Sequence, residues 1–254
     1  MPKRDRALEQ AISRDRIELR FQPQIEPASG RIVGVEALAR WAAVDCADEL
    51  FARAELAGLS ERLSRHVQRK ALRTFGRWTG SLAGLRLSIN LMPRDLDRPG
   101  YEQWLLAEIA GAGLAPDQIT AEIVESSLVA DSLDVAGRLA RLRAAGIRIA
   151  IDDFGTGYSS LAYLASLPLD AIKIDRAMIA DIVGGSRDRI IVKAMISLAR
   201  ELGLQVIVEG VENLAQLRLL EEWGCDLYQG FLGAAPLDHA ELGRFVAAGR
   251  RSAA

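Results

Sequence analysis

The chain is poor in the residues that build disulfide frameworks and soft-metal sites. It has 254 residues, but only two cysteines, Cys46 and Cys225, and two histidines, His66 and His239. Two distant cysteines exclude a disulfide framework, and neither has the spacing of a zinc site. With so few thiols and imidazoles, any hydrolytic chemistry in this chain has to rely on carboxylates, amides and lysines.

Long apolar runs and an excess of one charge are also missing. No run approaches the ~18 apolar residues of a membrane span, and no apolar core of a signal peptide follows the charged residues 1–6. We therefore expect a cytoplasmic protein with no membrane insertion. Lys and Arg number 32, and Asp and Glu number 34. This balance gives no electrostatic reason to expect a nucleic-acid polymer as a partner.

What the chain does have is the composition of a folded globular protein. Hydrophobic residues make up 50% and charged residues 26%, which excludes disorder for most of the length. The length allows two small domains or one large α/β barrel. No Pro-, Gly- or Ser-rich linker divides the chain, so we predict a single domain over residues 1–254, with a core at about 7–248.

Short β-like runs alternate with helical stretches along the chain. The first two strands are separated only by a turn around Gly30, which is too short for a helical crossover, so they should pair antiparallel. Eight strands alternating with helices predict an α/β fold, a (β/α)8 TIM-like barrel with an antiparallel first strand. A doubly wound open sheet is the alternative. The predicted strands are 17–21, 31–38, 85–90, 119–124, 147–151, 171–174, 205–208 and 226–229, and the predicted helices are 8–12, 49–77, 101–110, 135–145, 161–166, 189–202, 213–223 and 240–248.

Seven of these strands carry a polar or charged residue at or near their carboxyl ends. In a barrel those ends meet at one mouth, where active sites are built. Burying several carboxylates beside a single lysine is unfavourable unless cations compensate the charge. Carboxylate oxygens with one amide oxygen suit Mg²⁺ or Mn²⁺. The residues are Glu36, Asn90, Glu122, Asp152 with Asp153, Lys173, Glu209 and Gln229.

Taken one at a time, each of these residues has an ordinary structural explanation. Glu36 alone is typical of an exposed strand face, and Lys173 alone of a solvated edge charge. Glu125 and Glu212 are typical of helix starts, where the helix dipole favours a negative charge. Only the occurrence of so many polar residues at strand ends together favours a site.

The polar strand ends lie within short motifs that follow one another in a characteristic order from about residue 7 to 240. They are Phe21-Gln22-Pro23, Glu36-Ala37-Leu38 with Arg40-Trp41, Ser88-Ile89-Asn90-Leu91, Glu122-Ile123-Val124-Glu125-Ser126, Asp152-Asp153-Phe154-Gly155-Thr156-Gly157-Tyr158-Ser159-Ser160-Leu161, Lys173-Ile174-Asp175, Glu209-Gly210-Val211-Glu212 and Gln229-Gly230-Phe231. Together they resemble the EAL family of cyclic di-GMP phosphodiesterases. The resemblance implies an irregular barrel that hydrolyses cyclic di-GMP to linear pGpG by two-metal activation of water.

The resemblance also implies a metal role for five residues. Glu36, Asn90, Glu122 and Asp152 would hold one ion, and Asp152 would bridge to a second ion held mainly by Asp153. The ions would be Mg²⁺ or Mn²⁺, with Ca²⁺ expected to inhibit.

Other roles implied by the resemblance concern water and substrate. Lys173 and Glu209 would position or deprotonate the attacking water, and Glu125 would brace the loop after Asp153. Gln229 would help to hold the water network. The substrate-binding residues would be Gln22, Leu38, Arg40, Gln229 and Glu212.

Two segments depart from the family pattern. Residues 42–47 lack the usual His-Pro pair, and residues 233–236 lack an aromatic and a basic residue before Pro236. No implied metal ligand is lost, which favours an active enzyme. The alternative is a catalytically silent receptor for cyclic di-GMP or a protein-interaction module. The resemblance is also compatible with a homodimer formed through the face near the loop after Asp153.

Overall fold

The computed structural model describes residues 4–125, 132–155, 164, 166–185 and 187–252. The predicted helix at 161–166 and the glycine-rich loop before it fall largely outside these residues. So does most of the face to which a homodimer contact was assigned.

Eight strands close into a barrel in which neighbours in sequence are neighbours in space. The first strand pairs antiparallel with both the second and the eighth, and the other pairs are parallel. The predicted fold class and the antiparallel first strand are thus confirmed, and the open sheet is excluded. The strands are β1 Glu18–Ile25, β2 Ile32–Arg40, β3 Arg86–Leu91, β4 Ile119–Val124, β5 Arg148–Phe154, β6 Ala171–Ile174, β7 Gln205–Val208 and β8 Leu227–Tyr228.

The tight connection between β1 and β2 explains their antiparallel pairing. Gly30 has φ of 67°, a left-handed conformation that costs glycine little. Its N–H donates to the Glu26 carbonyl at 2.9 Å, and the Glu26 N–H donates to the Arg31 carbonyl at 2.9 Å. The resulting register places Gln22 opposite Glu36.

The helices cover the outside of the barrel. Outside the predicted ranges 49–77 and 161–166, they begin and end within a few residues of the predicted positions. Short one-turn helices are added after β3 and β6. The helices are α1 Arg6–Ser13, α2 Ala47–Leu56, α3 Ser60–Phe75, α4 Pro93–Leu96, α5 Tyr101–Gly111, α6 Ser132–Ala144, α7 Arg176–Ile179, α8 Arg187–Glu201, α9 Leu214–Glu222 and α10 His239–Ser252. None of the helices in the described residues combines the length and the apolar composition of a membrane-spanning segment.

The single helix predicted over residues 49–77 is wrong, because the structure has two helices, α2 and α3, in this range. Gly58 has φ of 70°, which ends α2. The Gly58 N–H donates to the Glu55 carbonyl at 3.1 Å, and the Leu59 N–H donates to the Ala54 carbonyl at 2.8 Å. The apolar spacing continues across this break because Leu50 and Ala54 of α2 and Leu63 of α3 belong to one buried cluster. Periodicity alone therefore did not reveal the break.

Strand alternation explains how the barrel interior is divided. Ala150, Ala171, Ile207 and Leu227 form a small buried cluster. Each lies two residues before a polar residue expected at the site, and residues two apart on a strand point to the same face. The interior therefore changes from apolar to polar toward the carboxyl ends of the strands. The polar residues are Asp152, Lys173, Glu209 and Gln229.

Candidate metal centre and substrate cavity

A cavity of about 450 Å³ opens at the carboxyl ends of the strands. Its lining includes nine of the residues singled out in the sequence: Gln22, Glu36, Leu38, Arg40, Asn90, Asp152, Asp153, Glu209 and Gln229. Glu122 and Lys173 are both 0% exposed and lie against this lining.

Lys173 lies at the centre of the acidic residues. Its Nζ is 2.7 Å from a carboxylate oxygen of Glu209, 3.0 Å from those of Glu122 and Asp152, and 3.2 Å from that of Glu36. One ammonium therefore contacts four carboxylates that come from four different strands or strand ends. A single positive charge cannot balance this set.

The carboxylates fall into two overlapping groups. Glu36, Glu122 and Asp152 offer ligand oxygens that all lie within 4.8 Å of one another, and so do Asp152, Asp153 and Glu209. Asp152 belongs to both groups. The arrangement offers two adjacent positions for a hard cation, with one carboxylate between them.

Burial and the crowding of negative charge together shift the pKa values of the acidic residues. Burial raises the pKa of Glu209 to about 8, with Asp152 and Glu36 acting in the same direction. Burial and the Asp152 charge raise the pKa of Asp153 to about 6. Burial also raises the pKa of Asp152, and it raises that of Glu122 well above its usual value. Carboxyls that hold protons near neutral pH are sites where a divalent cation can replace the protons.

Glu36 is the exception among the acidic residues. Burial acts to raise its pKa, but the Lys173 charge and hydrogen bonds from Gln229 and Asn90 outweigh burial, so that the pKa is lowered. Burial acts to lower the pKa of Lys173, but the surrounding carboxylates raise it well above its usual value. Glu36 therefore favours its ionised form, and Lys173 favours its charged form.

Two amides orient the carboxylates. Asn90 Nδ2 donates to Glu36 Oε1 at 2.9 Å. Gln229 Nε2 donates to Glu36 Oε2 and to Glu209 Oε1, both at 2.8 Å. The buried Gln229 Oε1 has no hydrogen-bond partner in the described part of the chain. The donor set of carboxylate and amide oxygens, with one buried oxygen unpaired, fits a hard divalent cation.

Asp153 has a strained backbone, with φ of 55° in a non-glycine residue. Its N–H donates to Asp152 Oδ1 at 3.0 Å. The pairing of β5 with β6 shifts register at this point, between Ile151 and Phe154. Immediately beyond, the Gly155 N–H donates to Glu125 Oε2 at 3.1 Å. Strain of this kind collects at functional sites.

The expected substrate residues do not all lie together. Gln22, Leu38 and Arg40 line the cavity. Gln22 Nε2 donates to the Ala234 carbonyl at 3.5 Å, and Arg40 Nη1 donates to the Ala39 carbonyl at 2.8 Å. Glu212 is exposed and does not belong to the cavity lining.

Sequence reasoning missed Gln24, which lies in the barrel interior. Gln24 is 4% exposed, and its Nε2 donates to Ser88 Oγ at 3.3 Å and to Glu122 Oε1 at 3.5 Å. It supports a carboxylate of the first acidic group from the side of β1. Its position two residues after Gln22 on a strand was a usable signal, because both residues must point to the same face.

Comparison with known proteins decides the family. A model of the EAL domain matches residues 5–236 of this chain. The chain belongs to the EAL domain family. This EAL domain is 39% identical over 254 residues to the cyclic di-GMP phosphodiesterase NbdA of Pseudomonas aeruginosa, covering 97% of this chain and 32% of NbdA. The domain thus spans about a third of the length of that relative.

Solved EAL structures have the same fold. The PaMucR phosphodiesterase in complex with c-di-GMP superimposes with a TM-score of 0.87 at 34% identity, covering 92% of this chain and 97% of that one. A manganese and c-di-GMP complex of Klebsiella pneumoniae BlrP1 gives a TM-score of 0.79 at 31% identity, covering 93% of this chain and 58% of that one.

Proposed function

We propose that this EAL domain is a divalent-metal-dependent phosphodiesterase that hydrolyses cyclic di-GMP to linear pGpG. The observation that carries the proposal is the pair of acidic groups that share Asp152 at the cavity. The relatives named as cyclic di-GMP phosphodiesterases and the c-di-GMP complex of PaMucR support the same substrate.

Five residues would hold the cations. Glu36, Asn90, Glu122 and Asp152 would bind one ion, and Asp152 and Asp153 would bind the other, with Mg²⁺ or Mn²⁺ as the ion. A bound divalent cation supplies Lewis-acid stabilisation of the phosphate charge and lowers the pKa of a water molecule. Known complexes of BlrP1 with manganese and with calcium support a divalent ion at this kind of site.

The chain's own residues would handle the water and its proton. The ionised carboxylate of Glu209, which lies 2.7 Å from the Lys173 ammonium, would accept a proton from the attacking water. The Lys173 ammonium beside it supplies positive charge where negative charge develops on the phosphate. Gln229, which donates to Glu209, would hold this carboxylate in place. The water oxygen would bond to phosphorus as the bond between phosphorus and the 3′ oxygen breaks, and the leaving 3′ oxygen would take up the proton that Glu209 accepted from the water.

Three cavity residues would recognise the substrate. Arg40 would face a phosphate, and Gln22 and Leu38 would contact the nucleotide. Glu125 would act at a distance, by holding the Gly155 N–H and with it the chain that follows Asp153. Glu212 is the residue whose expected substrate contact finds least support, since its side chain is exposed outside the cavity lining.

The decisive experiment is product analysis. Purified protein is incubated with cyclic di-GMP and Mg²⁺ or Mn²⁺, and the products are separated by ion-pair chromatography. We expect stoichiometric pGpG, no product in EDTA, and inhibition by Ca²⁺. Tight binding of cyclic di-GMP without pGpG would establish the alternative, a catalytically silent receptor. A protein that neither binds nor hydrolyses cyclic di-GMP would favour the other alternative, a protein-interaction module.

A further inference from the structure

A second buried polar network lies beside the metal centre, on α3. Its hub is Gln68, which is 1% exposed. Gln68 Nε2 donates to the main-chain oxygen of Asn90 at 3.0 Å and to Asp95 Oδ2 at 3.0 Å. Gln68 Oε1 accepts from the Tyr101 hydroxyl at 3.0 Å. Both N–H groups and the oxygen of the amide are therefore used.

The network fixes the orientation of the Gln68 amide. A carboxylate and a main-chain carbonyl only accept hydrogen bonds, so a flipped amide would place oxygen against oxygen at both positions. Tyr101, itself 0% exposed, holds the other end. A buried amide that lost these partners would leave several polar atoms unsatisfied, at a cost of ~1–3 kcal/mol each.

Asp95 extends the network to the turn after β3. Its Oδ2 accepts the Met92 N–H at 3.0 Å, and it also accepts the Ser64 hydroxyl. Its Oδ1 contacts Arg98 Nη2 at 3.2 Å. The chain from Asn90 to Asp95 is thus held at both its ends by side chains packed against it.

Gln68 contacts β3 at Asn90, where the pairing of β3 with β2 has already ended. The ladder between β2 and β3 ends at the pair Glu36 and Ser88, two residues before Asn90. Beyond that pair, β2 gives no ladder partner to β3, and Gln68 donates to the Asn90 carbonyl instead. The side chain of the same residue donates to Glu36 and lines the cavity.

We propose that Gln68 is a positioning residue for the metal centre: held by Tyr101 and Asp95, it fixes the main chain of Asn90 and thereby aims the Asn90 amide at the cation. This inference rests on the proposed function, because Asn90 matters to a cation only if the site holds one. Gln68 lies in the cavity lining, but its amide is fully used within this network. It therefore acts through Asn90.

The test is Mn²⁺ binding to the full chain by titration calorimetry, without substrate. We expect Gln68→Met to weaken Mn²⁺ binding at the Asn90-dependent site by about tenfold, as other outer contacts of metal ligands do. Tyr101→Phe should weaken binding less, because it frees only one end of the amide. The decisive comparison is whether these effects depend on Asn90. In an Asn90→Ala background, neither Gln68→Met nor Tyr101→Phe should weaken Mn²⁺ binding further.

A matched control separates positioning from general loss of stability. Gln216 is another buried glutamine, 5% exposed, whose Nε2 donates to the Ile179 carbonyl at 3.1 Å. Gln216→Met should lower the melting temperature but leave the Mn²⁺ dissociation constant unchanged. If Gln68→Met does not fold, Tyr101→Phe with and without Asn90→Ala gives the same comparison.

The outcomes distinguish the two proposals. A wild-type protein that binds no Mn²⁺ overturns the proposed function and this inference with it. If the wild type binds and Asn90→Ala binds more weakly, while Gln68→Met and Tyr101→Phe bind as tightly as wild type, only the positioning role is overturned. Further weakening by these substitutions in the Asn90→Ala background also overturns it.

Discussion

The Nζ of Lys173 lies 2.7 Å from a carboxylate oxygen of Glu209. The two residues lie at the ends of the adjacent strands β6 and β7, and further acidic residues surround both. The same ammonium contacts three more carboxylates within 3.2 Å. Lys173 is thus the internal counter-ion of the site. Removal of Lys173 should therefore lower both the stability of the protein and its catalytic activity.

Lys173→Met should abolish turnover and destabilise the metal-free protein. Loss of the cation from a buried cluster leaves uncompensated charges, which typically costs about 3–5 kcal/mol. The measurement is urea unfolding in EDTA at pH 8, with excess Mg²⁺ expected to restore part of the lost stability. The exposed Lys193→Met is the control and should change stability by less than about 0.5 kcal/mol. Equal unfolding free energies for Lys173→Met and wild type would contradict the role as counter-ion.

Glu36→Ala should remove one ligand of the first acidic group and free the partners of its carboxylate. We expect hydrolysis of cyclic di-GMP to fall by more than about 100-fold, beyond the range usual for an outer contact. Initial rates of pGpG formation at saturating Mg²⁺ measure the effect. The exposed Glu201→Ala should retain full activity. Wild-type rates in a pure Glu36→Ala preparation would refute the metal role of Glu36.

Stability without metal should fall as pH rises from about 4.5 to 8. The pKa of Glu209 is about 8 in the folded protein against an ordinary 4.5, so the folded state binds more protons than the unfolded chain in this window. The free energy of unfolding then decreases with rising pH. Asp153, with a pKa of about 6, contributes in the same direction over the lower part of the window.

Melting temperatures across this pH range, in EDTA and in excess Mg²⁺, test the expectation. Mg²⁺ should stabilise the protein more at pH 8 than at pH 5, because binding requires ionised carboxylates. Glu209→Gln should flatten the pH dependence in EDTA. A melting temperature in EDTA that rises from pH 5 to 8 would show that the site is not dominated by raised carboxyl pKa values.

The strained backbone of Asp153 should lower the stability of the protein, while its carboxylate is required for turnover. Its φ of 55° is a strained conformation that glycine adopts at little cost. Asp153→Gly should raise the free energy of unfolding by up to about 1 kcal/mol and abolish turnover, and Asp153→Asn should abolish turnover with stability close to wild type. Thermal melts and product analysis measure both.

Asp15 offers a comparison, since it has the same φ of 55° but lies on the surface at the end of α1. Asp15→Gly should leave turnover unchanged. Full activity of Asp153→Asn would show that the charge of Asp153 is not required.

Much of the fold followed from local patterns in the sequence. Residues 119–124, 171–174 and 205–208 were predicted as strands with the observed limits, because each is a short apolar run bounded by turns. The antiparallel pairing of β1 and β2 followed from the length of the turn at Gly30. The division of residues 47–75 into two helices did not follow, since one left-handed glycine, Gly58, does not interrupt the apolar spacing.

The sequence by itself determined which residues reach the carboxyl ends of the strands, because alternation along a strand is a local property. Only the tertiary structure decided which of them touch. The contact of Lys173 with four carboxylates, the sharing of Asp152 by two acidic groups, and the link from Gln68 to Asn90 all join residues from different strands and helices. Such distances are set by how the strands tilt and stagger when the barrel closes, and no local pattern in the chain encodes them.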